Sequence, residues 1–278
     1  MIRTIAILLL SFTLYASDIK IGYSVESMSD INKRDLKISM VLWIEEIISQ
    51  TEYTADYIDY DETQSMAKDF NTGKLDLVID FGINFVKYYE LDKLSDGFRG
   101  GMKNNHHENI IIVLQESSSL EKFSKLRNPV IALQRIEEIF KIYGIVHLMN
   151  KKKNFIFLET KKRSGALLKL FFNNADAALV TEKTFDFVKE LNPQVGKKLK
   201  IVRVSDVKAG AYGYFHKNFD PIKREAMIKI ALGLDKSVRG KQLLSLFKID
   251  VVKKSKVSEL ANIKKLYEAY IKIKKGKK

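Results

Sequence analysis

Apolar positions along the first sixty residues alternate between strand-type and helix-type spacing. Ile19, Ile21 and Tyr23 occupy every second position, as in a β-strand. Ile38 to Ile48 instead carries its apolar residues at helical spacing, with glutamates on the opposite side. Tyr53 to Tyr60 is a second predicted strand. Because strand, helix and strand follow one another, the pattern predicts an α/β fold with parallel strands.

The next segment, Asp59 to Val86, predicts another helix and strand. Asp61 and Gln64 are spaced as a capping box at a helix start, and Gly73 predicts the helix end. The apolar run from Leu75 to Ile79 is short enough for a strand buried on both faces, as in a parallel sheet.

A small-molecule site is predicted at the carboxyl ends of these strands. Ligands of open parallel sheets bind there, where helix N-termini offer free N–H groups. A glycine and a serine close the first strand as a ligand-facing loop would. The candidate residues on this side are Tyr23, Ser24, Tyr60, Phe81, Gly82 and Asn84.

A second block of strands and helices begins near residue 109. Asp96 to Glu108 is rich in glycine and polar residues and predicts a crossing loop, whereas Asn109 to Leu114 predicts a strand. The chain is predicted to cross back to the first block near residue 207. We therefore expect one lobe from residues 18–108 and 208–278 and a second from residues 109–207, each with a parallel-rich sheet, and a hinge with the ligand between them.

The N-terminus has the three parts of a secretory signal. Met1-Ile2-Arg3 gives a charged start, Ile5 to Leu14 an apolar core, and Leu14-Tyr15-Ala16 a small-residue exit. Residues 1–17 are therefore predicted to be a cleaved signal peptide, and the mature chain to be periplasmic. A buried N-terminal element or an uncleaved anchor is the alternative, but about ten apolar residues are too few to span a bilayer of about 30 Å.

Composition narrows the class of protein. The chain has 278 residues, no cysteine and a formal net charge of +14. Without cysteine there is neither a disulfide nor thiolate chemistry. The lysines occur in pairs and triplets with acids between them, which favours a solvated surface over a nucleic-acid site. The positive charge would still attract an anionic ligand.

No motif in the sequence indicates catalysis. The chain has no G-x-S-x-G elbow, P-loop or G-x-G-x-x-G, and its four histidines do not have the spacing of a metal set. Adjacent His106 and His107 could bind a metal, but a solvated loop pair is the better interpretation. We expect no cofactor and no enzymatic activity.

The succession of motifs resembles the type 2 periplasmic substrate-binding proteins, and within them the PhnD-like group that binds phosphate, phosphite or phosphonate. The resemblance covers nearly the whole mature chain and lies in the order of its motifs. These are Asp18 to Ser24, Gly73-Lys74-Leu75-Asp76-Leu77, Phe81-Gly82, Asn174-Ala175-Asp176-Ala177-Ala178, Pro193 before Lys197-Lys198-Leu199, Ser205, Phe219-Asp220-Pro221 and Gly240-Lys241-Gln242-Leu243-Leu244.

The ligand pocket departs from the pattern that this resemblance implies. Family members hold the anion with a serine- and threonine-rich turn after the strand that corresponds to Val130 to Leu133. This chain has Gln134-Arg135 there, with no hydroxyl. Arg135 could grip an anion bidentately, or could face water beside two glutamates.

Three further positions are implied by the resemblance in the second lobe. Lys162 aligns with a downstream ligand position and keeps a positive charge, although a basic exposed loop is the alternative. Thr181 and Glu182 follow the strand Ala177 to Val180, where Glu182 could hold a ligand amine or stabilise a helix N-terminus. On the first lobe, Tyr60 fits the aromatic ligand contact that the resemblance implies, and Phe81 stands where family members have a more polar ligand contact.

The resemblance implies a monomeric binding protein that captures a small anion and delivers it to an inner-membrane ABC permease. The alternative is a binding protein of altered specificity that signals to a membrane histidine kinase or chemoreceptor. Closure of two lobes on a ligand would serve either role. We expect no nucleic-acid partner.

Overall fold

The computed structural model describes residues 18–24, 33–103, 108–135, 138–148, 155–247 and 249–276. Its strands form two mixed β-sheets of six and five strands, with helices packed around them. The predicted two-lobed α/β class is therefore confirmed. The predicted signal peptide, residues 1–17, and the pair His106-His107 lie outside the described residues.

The first sheet has the strand order β11-β4-β10-β3-β1-β2. Strands β2, β1 and β3 pair in parallel, and β10, β4 and β11 add antiparallel pairs. Its strands are β1 (Ile19–Ser24), β2 (Ala55–Tyr60), β3 (Leu77–Phe81), β4 (Leu94–Gly101), β10 (Ala211–His216) and β11 (Val251–Ser255).

The second sheet has the strand order β7-β6-β8-β5-β9. Strands β7, β6 and β8 pair in parallel, whereas β5 runs antiparallel to β8 and β9. Both sheets are thus mixed rather than parallel-rich, because each parallel triplet is extended by antiparallel strands. The strands are β5 (Asn109–Gln115), β6 (Val130–Gln134), β7 (Ile156–Thr160), β8 (Ala177–Thr181) and β9 (Leu199–Lys208).

Helices connect and cover the strands. Those that follow strands of the first sheet are α1 (Lys33–Ile48), α2 (Thr63–Asn71), α3 (Gly82–Tyr88), α9 (Pro221–Gly233), α10 (Val238–Leu246) and α11 (Ala261–Lys275). Those that follow strands of the second sheet are α4 (Leu120–Lys125), α5 (Glu138–Leu148), α6 (Arg163–Phe171), α7 (Glu182–Leu191) and α8 (Pro193–Lys198). No helix in the described part of the chain is long and apolar enough to cross a bilayer.

One helix–turn–strand unit occurs in both sheets. Gly73 ends α2 with φ +76°, and Asn173 follows α6 with φ +59°. The aspartate before each strand then fastens the neighbouring strand: Asp76 Oδ2 accepts the Lys20 N–H at 2.8 Å, and Asp176 Oδ2 accepts the Val130 N–H at 2.7 Å. This shared unit fixes the carboxyl ends of β3 and β8 relative to β1 and β6.

Helix α2 starts differently from the prediction. Its N-cap residue is Glu62, and no side chain caps the first turn. The capping box predicted from Asp61 and Gln64 is therefore wrong, because Asp61 lies one residue before the cap. The predicted stop at Gly73 is confirmed by its left-handed backbone.

Part of the predicted crossing loop, Asp96 to Glu108, is strand β4. Glycine-rich sequence normally weakens a strand prediction. Here the glycine permits close packing, since a Cβ on Gly97 would lie 1.9 Å from the carbonyl oxygen of Gly213 in β10. Strand β11 and the short helices α4 and α8 are also absent from the sequence prediction.

Helix α11 links the two sheets along one side. It packs against α3, which follows β3, and against α5 and β9 of the second sheet. Leu260, Ile263 and Leu266 belong to an apolar core that also contains Ile112 and Phe140. The lobes are therefore joined by a shared apolar core as well as by the two chain segments that cross between them.

Candidate ligand-binding cleft

A cleft with a volume of about 940 Å³ lies between the two sheets. The first sheet contributes Ile79 and Phe81 of β3 together with residues of β4 and β10. The second sheet contributes Gln134 of β6 and the first turns of α6 and α7. The cleft thus lies where the carboxyl ends of β3 and β6 face each other.

The described lining of the cleft is strongly basic. It has seven cationic side chains and two acidic ones, Glu108 and Asp250. Such an excess of positive charge in a concave site attracts anions. The cations are Arg99, Lys103, Lys162, Arg163, Lys183, Lys208 and Lys241.

Glu108 holds two of these cations at the crossing between the sheets. Its Oε2 lies 2.9 Å from Arg163 Nη1, and its Oε1 lies 3.5 Å from Lys183 Nζ. All three side chains are mostly buried, with 17–22% of each exposed. The Arg163 guanidinium also lies 5.6 Å from the centroid of the Phe140 ring. Two cations of the second sheet are therefore ordered around one carboxylate.

Hydroxyl groups and helix N-termini surround this cationic pair. Ser164 lies in the first turn of α6, and Thr184 in the first turn of α7; both are half-buried and line the cleft. The positive end of a helix dipole favours an anion. Exposed Lys162 is the N-cap residue of α6 and has no carboxylate partner within the described residues. This arrangement can bind an oxyanion.

The rim formed by the first sheet is charged as well. Glu259 Oε2 lies 3.0 Å from Arg99 Nε and 3.9 Å from Lys208 Nζ. Burial, together with neighbouring Arg99, lowers the pKa of Lys208. Burial raises the pKa of Tyr212, beside them in the lining, to about 12. The phenol is therefore neutral at physiological pH and adds no negative charge to this rim, where Glu259 is the carboxylate that pairs with Arg99 and Lys208.

An apolar wall closes the first-sheet side. Trp43 of α1 and Phe98 of β4 are both buried and contact each other edge to face, with ring centroids 5.4 Å apart. Phe247 and Ile249, which follow α10, continue the wall. The cleft therefore has a basic half and an apolar half.

Three of the eleven residues predicted from the sequence line the cleft. Phe81 is half-buried at the end of β3, and Lys162 is exposed at the start of α6. Gln134 is buried, and its Nε2 donates to the Lys161 carbonyl at 3.3 Å. The structure thus brings together one predicted residue from the first sheet and two from the second.

Tyr23, Ser24 and Tyr60 lie outside the described lining. Tyr23 and Ser24 are buried at the end of β1, and Ser24 Oγ has no hydrogen-bond partner among the described residues. The Tyr60 hydroxyl donates to Asp69 Oδ2 at 3.0 Å. Burial and this bond raise the pKa of Tyr60 to about 12.

Gly82 and Asn84 support the strand end rather than line the cleft. A Cβ on Gly82 would lie 2.5 Å from Ile263 Cδ1 of α11, so this glycine is covered by that helix. Asn84 Nδ2 donates to Asp80 Oδ1 at 2.7 Å. Asp80 is fully buried and also accepts the Tyr89 hydroxyl at 3.1 Å.

The remaining candidates from the second sheet also lie outside the described lining. The Arg135 side chain is exposed, and its backbone N–H donates to the Thr160 carbonyl at 3.0 Å. Thr181 is buried and caps α7 through the Thr184 N–H. Glu182 begins that helix, and its shielded Oε2 has no hydrogen-bond partner in the described part of the chain.

Sequence reasoning missed Arg163, Ser164, Lys183 and Thr184. They come from two helix starts that are about twenty residues apart, and the structure brings both to one end of the cleft. A local signal did exist, since each pair lies within four residues after the end of a strand. Within the described residues, no group of three or more His, Cys, Asp or Glu is placed to hold a metal ion.

A family model for the periplasmic substrate-binding protein of phosphonate ABC transporters matches residues 27–260. The chain belongs to this family. It is therefore a binding protein of the periplasmic type, not an enzyme. No curated protein sequence matches the chain.

Solved structures support the same fold at low sequence identity. PhnD1 from Prochlorococcus marinus in complex with methylphosphonate has a TM-score of 0.59 and 16% identity, and the match covers 90% of this chain and 97% of that one. A binding protein component of an ABC phosphonate transporter from Pseudomonas aeruginosa has a TM-score of 0.57 and 12% identity, covering 92% and 87%. XAC2383 from Xanthomonas citri bound to ATP has a TM-score of 0.61 and 9% identity, covering 92% and 98%.

Proposed function

We propose that this protein captures a small oxyanion of the phosphonate or phosphate type in the cleft between its lobes. The observation that carries the proposal is the basic end of the cleft, where Arg163, Lys183 and Lys162 stand beside the hydroxyls of Ser164 and Thr184. These groups supply the positive charge and hydrogen-bond donors that an oxyanion needs. They replace the hydroxyl-rich turn that the resemblance implies after β6.

Binding closes the two lobes on the ligand. The proposed lobes are residues 18–108 with 208–278, and residues 109–207. The hinge lies where the Ala209 N–H donates to the Glu108 carbonyl at 2.8 Å, which joins the two crossing segments. A ligand that contacts Phe81 on one side and Arg163 on the other favours the closed state by its differential contacts.

The protein acts as a monomer in the periplasm, exported by residues 1–17 as a cleaved signal peptide. Its partner is an inner-membrane ABC permease. The family match supports this role, since the family model describes a substrate-binding component of such transporters.

A thermal-shift screen with phosphate, phosphite, methylphosphonate, sulfonates and carboxylates tests the ligand class. An anion present at a hundred times its dissociation constant adds about 2.7 kcal/mol to the free energy of unfolding. The Arg163→Gln variant should lose that increment, whereas Arg127→Gln, which changes an exposed arginine outside the lining, should keep it. If no anion in the screen stabilises the wild type or the control, the proposed ligand class is refuted.

Two further measurements test closure and partner. Small-angle scattering should show a smaller radius of gyration with the ligand than without it, and identical profiles would contradict closure. In proteoliposomes, the ligand-loaded protein should stimulate the ATPase of its permease. Unchanged ATPase activity together with normal ligand binding would favour a receptor as the partner.

A further inference from the structure

We infer that the cleft contains an apolar subsite within the first lobe, which accepts the organic group of the anionic ligand. This inference rests on the proposed function and narrows its substrate class. The ligand would be a phosphonate or similar oxyanion that carries an alkyl chain of three or more carbons, or an aryl ring.

The subsite is formed by residues of the first-sheet side alone. It lies between α1, β4 and the end of α10, so its width does not depend on how far the lobes are open. Its apolar members are Met40, Trp43, Phe98, Leu246, Phe247 and Ile249.

The walls of the subsite are closely packed. Trp43 and Phe98 are only 7% and 2% exposed, and they pack edge to face. A Cβ on Gly213 would lie 2.6 Å from the Phe98 ring, and one on Gly100 would lie 2.9 Å from Ile249 Cδ1. Neighbouring backbone therefore holds these side chains in place, which lowers the entropy cost of binding a group against them.

The subsite opens into the basic half of the same cleft. The whole cleft measures about 940 Å³. A water molecule takes about 30 Å³ of liquid, so an oxyanion the size of a few waters would leave most of the cleft unfilled. Leu246 is 45% exposed and offers apolar surface that an organic group could cover. The polar groups nearby, Lys241, Ser245 and Asp250, lie at the exposed rim.

A series of alkylphosphonates from methyl to hexyl, together with phenylphosphonate and inorganic phosphate, tests the subsite. Trp43 is the single tryptophan of the wild-type chain, so in the wild type its fluorescence reports directly on this wall, and calorimetry gives the affinities of the variants. Each buried methylene should raise the affinity about fourfold, and the longer chains should shift the Trp43 emission.

Two variants at exposed positions test whether the gain in affinity with chain length arises at this subsite. Ser245→Trp should remove the gain with chain length, so that methyl- and hexylphosphonate bind this variant with similar affinity, and Leu246→Ser should reduce the gain. Ser124→Trp is the matched control, because Ser124 and Ser245 are both exposed helical serines whose hydroxyls donate to the carbonyl three residues earlier. Circular dichroism checks that each variant folds.

The outcomes separate this inference from the proposed function. Methylphosphonate binding with no gain along the series would overturn the subsite and leave the proposed function standing. A gain that survives in both Ser245→Trp and Leu246→Ser would also overturn it. If no anion in the series binds, the proposed function fails and the subsite fails with it.

Discussion

Replacing Glu108 with glutamine should tighten binding of an anion. The Glu108 carboxylate pairs with both Arg163 and Lys183 in the absence of ligand, at 2.9 and 3.5 Å. An incoming oxyanion must share these cations with that carboxylate. The Glu108→Gln variant removes the competing charge but keeps the size and hydrogen-bonding capacity of the side chain.

The size of the effect follows from the burial of the pair. Two unit charges 4 Å apart interact by about 4 kcal/mol at the effective dielectric of a site near the surface, before desolvation is subtracted. After desolvation we expect about 1–2 kcal/mol, which is about 5- to 30-fold in affinity. The unliganded variant should be less stable than the wild type, because Arg163 and Lys183 then repel each other.

Isothermal titration calorimetry gives the affinity, and chemical denaturation gives the stability. Glu138→Gln is the matched control, since it breaks the partly buried ion pair with Lys87 at 2.5 Å and neither residue lines the cleft. The control should lose stability without a change in anion affinity. Weaker or equal binding by Glu108→Gln would show that Glu108 does not compete with the ligand.

Three further predictions concern stability. Gly73→Ala should lower the free energy of unfolding in urea by about 1–2 kcal/mol, because φ is +76° at this position; no atom lies within 4 Å of the new methyl group, so the cost comes from the backbone alone. A urea midpoint equal to that of the wild type would contradict this. Asp176→Asn should lower the free energy of unfolding by about 1.5–3 kcal/mol, because it removes the charge from the acceptor of the Val130 N–H. A loss below about 0.5 kcal/mol in the same assay, which is the usual scatter of surface substitutions, would show that this hydrogen bond contributes little. Burial lowers the pKa of His216, so the folded state favours the neutral ring and stability should fall as the pH drops below the unfolded pKa of about 6.5. Urea unfolding at pH 7.5 and 5.5 should show a smaller decline for His216→Gln, and an equal decline would rule out this contribution.

The parallel units were predictable because their signals are local. Alternation of apolar residues, the glycine stop at Gly73 and the short buried run that became β3 all lie within a few residues of one another. Strand β4 was not predictable, because Gly97 is required by the approach of Gly213, more than a hundred residues later in the chain. Strand β11, which pairs antiparallel with β4, is likewise absent from the sequence prediction, whereas the antiparallel strand β5 was predicted from the local apolar run Asn109 to Leu114.

The candidate site shows the same division. Phe81, Gln134 and Lys162 follow strand ends, where the sequence rule places ligands. The charge pattern around Glu108 could not be read from the sequence, because Arg163 and Lys183 reach it from two separate helices. Likewise, the apolar half of the cleft combines α1, β4 and the end of α10, which are far apart in the chain.

The most direct test of the central claim is calorimetric titration of methylphosphonate into the wild-type protein and into Arg163→Gln/Lys183→Gln. We predict that the wild type binds one anion per chain and that the double variant binds it at least a hundredfold more weakly. At about 1.4 kcal/mol per factor of ten, this is a loss of about 2.8 kcal/mol in binding free energy. Equal affinity of the two proteins would contradict an anion site at the start of α6 and α7.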